Sequence, residues 1–284
     1  HNPLIDAVSK LGIKPIIGCE VYVAIGSRHD RTAARGLQHA SNHLILLAKS
    51  DTGWRNLTRL VSAGYTEGFY YNPRIDKELL REFGEGLVCM SACVSGEVAH
   101  LIQHDGLAAA EAATREYMDI FGEDYYLEIQ RHGIDIEAKV NDGLLKLHSK
   151  LGVPLVATND FHFLHADDHA AHDALICIQT GKMIADPPTA RMCYPTGLYM
   201  KSPAEMQQLF SDLPQAIENT VANAEKCDVK FEFGEQHMPD FPIPPSFTSS
   251  STYLKHLAQE GLEARYDEIT PEIQHRLDYE LELI

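Results

Sequence analysis

An α/β domain built on parallel strands with helices outside is predicted by three observations. Short apolar runs rich in β-branched residues alternate with helix-like patterns from Lys14 to about residue 181. Polar residues able to bind metals recur at or near the ends of those runs. The alternation gives way to a different organisation after about residue 195.

A helix-like stretch ends near Leu11–Gly12, and Lys14–Ala24 (KPIIGCEVYVA) reads as the first strand. His43–Lys49 (HLILLAK) is the second. The helix after it opens at Asp51 or Thr52, good N-cap residues, and buries Trp54, Leu57 and Val61 at helical spacing. Gly86–Ser91 (GLVCMS) is the third strand, followed by helices over roughly 95–103 and 106–121. Tyr125–Gln130 (YYLEIQ) is the fourth strand, with a helix over roughly 135–150. Pro154–Thr158 (PLVAT) is the fifth, with a helix over roughly 166–181. An open sheet and a barrel both accommodate this order.

Further on, Ser202-Pro203-Ala204-Glu205 is a capping box with proline at the first helical position. Asp212–Cys227 is another helix. Met238–Pro245 (MPDFPIPP) excludes both helix and central strand, and a domain boundary is expected there, dividing 1–245 from 246–284. Two helices close the sequence. One repeats Leu254, Leu257, Ala258 and Leu262; the other starts at Thr270-Pro271 and repeats Ile273, Leu277, Leu281 and Ile284.

The 284 residues are 44% hydrophobic and 23% charged, enough to build a core. No apolar run is long enough to span a bilayer. With a formal charge of −17, the chain as a whole does not attract nucleic acid; any such contact is expected to be local or to lie on a part outside this sequence. One window leans basic: Arg28, Arg31, Arg35, Lys49, Arg55 and Arg59 against Asp30 and Asp51. A solvated loop and helix face is the simplest reading of it. Six scattered cysteines without a CxxC pair fit a reducing compartment.

In parallel α/β folds, active sites collect at the C-terminal ends of strands. Glu20 lies inside the first strand, where an acid is costly to bury unless paired or metal-bound. His43 opens the second, Cys93 follows the third and His132 the fourth. Asp160-Phe161-His162 follows the fifth, and Asp-x-His spacing lets two side chains point the same way from an extended segment. Carboxylate, imidazole and thiolate are the donors of zinc and related divalent ions. Taken singly, each residue has an ordinary structural explanation; their recurrence at strand ends carries the metal reading. His165, His169 and His172 fall at i, i+4, i+7, but Ala166 stands where HExxH needs its glutamate, which favours a surface or interface role.

These segments together resemble the polymerase-and-histidinol-phosphatase (PHP) domain at the front of bacterial DNA polymerase III alpha subunits. The resemblance runs through GIKPIIGCEVYVA (12–24), NHLILLAKSDTGWRNLTRLVS (42–62), GFYYNPRIDKELL (68–80) and CMSACVSGEV (89–98). It continues through YYLEIQRHG (125–133), VATNDFH (156–162), HDALICIQTGK (172–182), LYMKSPAEM (198–206) and MPDFPIP (238–244). The residues after Tyr253 look like the passage into the polymerase core.

The resemblance implies a distorted seven-stranded α/β barrel, here expected to be truncated at its front, with 246–284 starting the polymerase core. It implies metal-ligand roles for Glu20, His43, Cys93, Asp160 and His162, and makes His132 a neighbour of the site. Four further ligands belong to family motifs expected to precede this sequence. His1 is too close to Glu20 for the family's spacing, and His1-Asn2 looks like the helix after that motif. The implied cofactors are Zn2+, Mn2+ or Fe2+ at this site and Mg2+ at polymerase carboxylates expected beyond Ile284. The implied activities are templated DNA synthesis by the parent protein and phosphoester hydrolysis, as a 3′–5′ exonuclease, at the PHP site; where the site is degenerate, the domain docks other subunits. The implied partners are DNA, deoxynucleotides, a sliding clamp, a clamp loader and a proofreading exonuclease subunit, in the cytoplasm and away from membranes. A free-standing PHP metallo-phosphatase acting on a small phosphate ester is the alternative, which the segments after residue 195 disfavour. A domain lacking one strand and most of another would expose edges and core, so a broad unfolding transition is expected.

Overall fold

The computed structural model describes residues 3–31, 41–231 and 239–284; His1, Arg35 and Met238 lie outside the described residues. The chain divides into two compact units, His1–Phe231 and Glu232–Ile284. The seam precedes the proline-rich stretch, whereas the division read from the sequence follows it.

The first unit opens with α1 (Pro3–Lys10), β1 (Gly18–Ala24), β2 (Ser41–Ala48) and α2 (Asp51–Thr66). A small hairpin of β3 (Phe69–Tyr70) and β4 (Asn72–Ile75) leads to α3 (Lys77–Phe83) and β5 (Leu87–Met90). Then come α4 (Glu97–His104), α5 (Leu107–Phe121), β6 (Tyr125–Ile129), α6 (Asp135–Leu151) and β7 (Leu155–Ala157). The unit closes with α7 (His169–Thr180), α8 (Pro203–Leu209) and α9 (Pro214–Lys226). In the second unit, α10 (Ser250–Arg265) and α11 (Pro271–Leu283) are the helices expected from the apolar repeats.

Local chemistry explains the element ends. Ser50, one residue before the expected cap, accepts from Gly53 N at 3.3 Å to start α2. Asp76 does the same for α3 through Leu79 N at 3.1 Å. Ser202 and Glu205 form the expected capping box on α8. Gly152, at φ +74°, ends α6 in the left-handed conformation. Trp54 does not join the α2 core face: Leu57 is buried, but Trp54 is 37% exposed and packs edge-on against Phe231.

The strand order is β3-β4-β1-β2-β5-β6-β7, and the sheet is mixed, which corrects the expectation of parallel strands throughout. β1 pairs antiparallel with β2, and β2 antiparallel with β5, while β1–β4, β5–β6 and β6–β7 are parallel. Thus β4, β1, β5, β6 and β7 run one way, and β2 runs between them in reverse. The reversal brings the start of β2, with His43, to the rim where β5, β6 and β7 end. The registers put Glu20, Tyr22, His43 and Ile45 on one face and Val21, Val23, Leu44 and Leu46 on the other. The second face meets the helices in the main core with Leu60, Leu80, Tyr117, Tyr125 and Leu144. The first carries a smaller apolar cluster, Val88, Met90, Tyr126 and Val156, flanked by Ile45 and Leu47.

Two cations of the basic window, Arg28 and Lys49, are paired with carboxylates. Arg28 binds Asp76 and Glu67, Lys49 binds Asp124, and Arg59 lies over the Phe83 ring. No described helix is long and apolar enough to cross a membrane.

Candidate metal centre

Glu20, His43, Cys93, Asp160 and His162 all line one pocket of about 220 Å³, together with Gln130, His132, Glu137, Tyr194 and Leu198. They arrive by four routes, Asp160 and His162 sharing one. Glu20 and His43 are diagonal neighbours on the antiparallel β1–β2 ladder, where Glu20 faces Ile45 and Tyr22 faces His43. His43 Nδ1 lies 3.1 Å from Glu20 Oε1 and 3.9 Å from Cys93 Sγ. Glu20 is not buried as its strand position suggested: its side chain is 42% exposed, and His43 pairs with it.

Cys93 rides on the turn after β5. Ala92 sits at φ +64°, a conformation costing an L-residue roughly 1–2 kcal/mol. The turn closes with Gly96 N donating to Cys93 O at 2.9 Å, and His43 N donates to Ser95 O at 3.0 Å. A Cβ on Gly96 would fall 2.0 Å from Ser91 O, so the turn requires glycine there. Burial chiefly pushes the Cys93 thiol up to about 11; a Ser95 backbone hydrogen bond opposes this, and the charges of Asp160, Glu20 and Glu128 add to it. The free thiol is therefore protonated at neutral pH.

Asp160 and His162 follow β7, but not in the extended form assumed from their spacing: Asp160 is at φ +43°, which aspartate tolerates. His162 Nδ1 lies 2.8 Å from Asp160 O and donates to it, leaving Nε2 as the open donor atom.

His132 is committed internally. Its Nδ1 donates to Glu137 Oε1 at 2.5 Å and its Nε2 to Asn159 O at 2.6 Å. Burial disfavours its charge, but Glu137 and the Asn159 carbonyl outweigh this and hold the imidazole pKa above its ordinary value. With both ring nitrogens engaged, His132 clamps the ends of β6 and β7.

Glu128, two residues before the pocket-lining Gln130, does not itself line the pocket, and the sequence reading passed it over as part of a strand. It is buried on the site face of β6, accepts from Thr158 Oγ1 and Gln130 Nε2 through Oε1, and its Oε2 has no hydrogen-bond partner. Burial is the main force lifting its carboxyl to about 7; the Thr158 and Gln130 hydrogen bonds oppose it, and the Asp160 charge reinforces it. The period-two polar pair Glu128/Gln130 inside an apolar strand was the available signal.

The three histidines at helical spacing do not share a helix face. His165 caps the short 3-10 turn Ala166–Asp168, and α7 begins at His169. His169 Nε2 donates to Tyr194 O at 2.9 Å, and His172 stacks edge-on to His162 and Tyr194.

One thiol, two imidazoles and two carboxylates on one pocket form a donor set suited to divalent transition metals. Among the described residues, no three His, Cys, Asp or Glu side chains are already arranged around one point.

The model of the PHP domain family matches residues 2–132. The DNA polymerase III alpha subunit of Borreliella burgdorferi is 45% identical over all of this chain, which covers 25% of that protein. The same subunit of Treponema pallidum is 44% identical over 96% of the chain, covering 23% of that protein. That of Thermus aquaticus is 42% identical over 95%, again covering 23%. The chain thus spans about a quarter of the length of these relatives.

Proposed function

The chain carries a PHP domain and is related along its whole length to DNA polymerase III alpha subunits, and from this kinship we propose that it is the PHP region of a replicative polymerase. The parent protein extends DNA from deoxynucleotides with Mg2+ at carboxylates outside this sequence. It works in the cytoplasm with a sliding clamp, a clamp loader and a proofreading exonuclease subunit. Residues 1–245 form the PHP domain, a distorted seven-stranded barrel, and 246–284 lead into the polymerase core. Full-length kinship with alpha subunits favours this over a free-standing phosphatase.

The strand-end pocket is a metal site for phosphoester hydrolysis in the manner of a 3′–5′ exonuclease. Its ligands are Glu20, His43, Cys93, Asp160 and His162, for Zn2+, Mn2+ or Fe2+. The observation that carries this reading is that five donors from four separate segments line a single pocket. A bound ion would supply Lewis-acid stabilisation of phosphoryl charge and acidify water. The chain's own residues provide the donors, hold their orientation through His132 and the Gly96 turn, and give up the Cys93 proton on loading. A purely docking role is the second reading, favoured by the absence, among the described residues, of three donors arranged around one point.

Metal analysis after equilibration with Zn2+, Mn2+ and Fe2+ separates the two. Stoichiometric uptake, lost on combined Asp160→Ala and His162→Ala substitution, is expected; less than one ion per chain refutes the metal site. Release of nucleotides from single-stranded DNA 3′ ends by the loaded protein then tests the exonuclease.

A further inference from the structure

The segment between α7 and α8 is tied back over the pocket at several points. Arg191 pairs with Asp173 of α7, and His169 holds the Tyr194 carbonyl. His162 N donates to Leu198 O at 2.8 Å, and Met200 N to Phe163 O at 3.0 Å. These ties leave Tyr194 half-buried on the pocket wall, its ring 4.7 Å from that of His162 and 5.2 Å from that of His172. None of them uses the phenolic hydroxyl, which makes no hydrogen bond among the described residues. Tyr194 lines the pocket together with Asp160, Cys93 and Glu20.

A phosphoryl group entering this pocket brings anionic oxygens that need hydrogen-bond donors. Several lining side chains are already spent. His132 is engaged at both nitrogens, His162 Nδ1 serves the Asp160 carbonyl, and Gln130 Nε2 serves Glu128 and Thr158. Glu20 and Asp160 offer only acceptors when ionised. The Tyr194 hydroxyl can donate a hydrogen bond and is held on a strapped segment.

We infer that Tyr194 contacts substrate in the proposed phosphoester site, its hydroxyl donating a hydrogen bond to a non-bridging phosphoryl oxygen. The inference rests on the metal-site reading above. It makes Tyr194 a residue for the phosphoryl group, not a metal ligand, so ion binding and phosphate binding separate experimentally.

The test compares wild type with Tyr194→Phe, which keeps the ring and its packing on His162. Isothermal titration measures Mn2+ first, then inorganic phosphate on the Mn2+-loaded protein; hydrolysis of bis(p-nitrophenyl) phosphate follows. Unchanged Mn2+ affinity and thermal midpoint, with phosphate Kd and substrate KM each raised about tenfold, are expected from loss of one hydrogen bond to a charged group. Should wild type take up no Mn2+, the metal-site reading falls and this inference with it. Should wild type bind both Mn2+ and phosphate, and Tyr194→Phe match its phosphate Kd to within about twofold, Tyr194 alone is refuted.

Discussion

Glu128→Gln in the metal-free protein isolates the energetic cost of the site. Glu128 is buried, and its folded carboxyl is lifted from 4.5 to about 7, mainly by burial. The sign follows from proton linkage. The folded state binds this proton more tightly than the unfolded chain, so the contribution is most favourable below pH 4.5. Stability declines as pH rises from 4.5 to 7 and levels off above that. Relative to the fully protonated state, the two pKa values give a loss of about 1 kcal/mol at pH 5 and about 3 kcal/mol at pH 8. Glutamine keeps the shape and an oxygen for Thr158 and Gln130, but has no proton to lose. Its stability relative to wild type should therefore rise by about 2–3 kcal/mol from pH 5 to pH 8. In thermal unfolding this is a relative gain in midpoint of about 5–10 °C. Scans of both proteins in chelator at pH 5, 6, 7 and 8 measure it, and the comparison cancels every other titrating group. Parallel profiles across that range would show that Glu128 ionises normally and would refute the burial argument. Stoichiometric Mn2+ should flatten the difference, because a nearby cation favours the carboxylate.

Three other perturbations have defined outcomes. His132→Ala leaves the buried Glu137 carboxylate without its cation and should destabilise the protein by about 3–5 kcal/mol in denaturant unfolding; a change under about 1 kcal/mol would contradict the clamp. In wild type, the His132 contribution is fully present below pH 6.5, the unfolded value, and is lost as pH rises through the elevated folded value. Gly96→Ala forces Ser91 O away from the new Cβ and should cost about 1–3 kcal/mol in thermal unfolding while weakening Zn2+ uptake. Zn2+ loading at pH 7 should release about one proton fewer in Cys93→Ser than in wild type, read as indicator dye absorbance in weak buffer.

The strands β1, β2, β5, β6 and β7 were legible because each is a compact apolar run closed by turn or helix signals, and the capping box that opens α8 stands in the sequence. The hairpin Phe69–Ile75 was not, because Asn72 and Pro73 read as turn chemistry; Pro73 lies in a short strand near the sheet edge, where a missing N–H is tolerated. Strand direction was hidden too. Helices between runs argue for crossovers, but the pairing partner of β2 on either side depends on contacts distant in sequence. The residues named by the strand-end rule still share one pocket, since His43 opens a reversed strand and so reaches the common rim. Glu128 was missed because its burial comes from Ser91, Gln130 and Thr158, on three different strand ends.

The less conspicuous features of the pocket have a common consequence. A left-handed alanine, a glycine that admits no Cβ, a buried carboxyl held above its normal range and an imidazole engaged at both nitrogens all surround the five donors without being among them. Each opposes folding or restricts the backbone. A domain kept solely for docking would gain nothing from Glu128 next to Asp160 and Cys93, and an apolar residue there would be more stable. A site that collects cations has a use for excess negative charge in a dry wall, because ion binding offsets the cost of that charge. The Glu128→Gln titration with and without Mn2+ therefore bears on function as well as stability. If Mn2+ stabilises wild type more than Glu128→Gln at pH 8, the buried acid belongs to the metal site; equal stabilisation would leave it a structural residue and shift the balance toward docking.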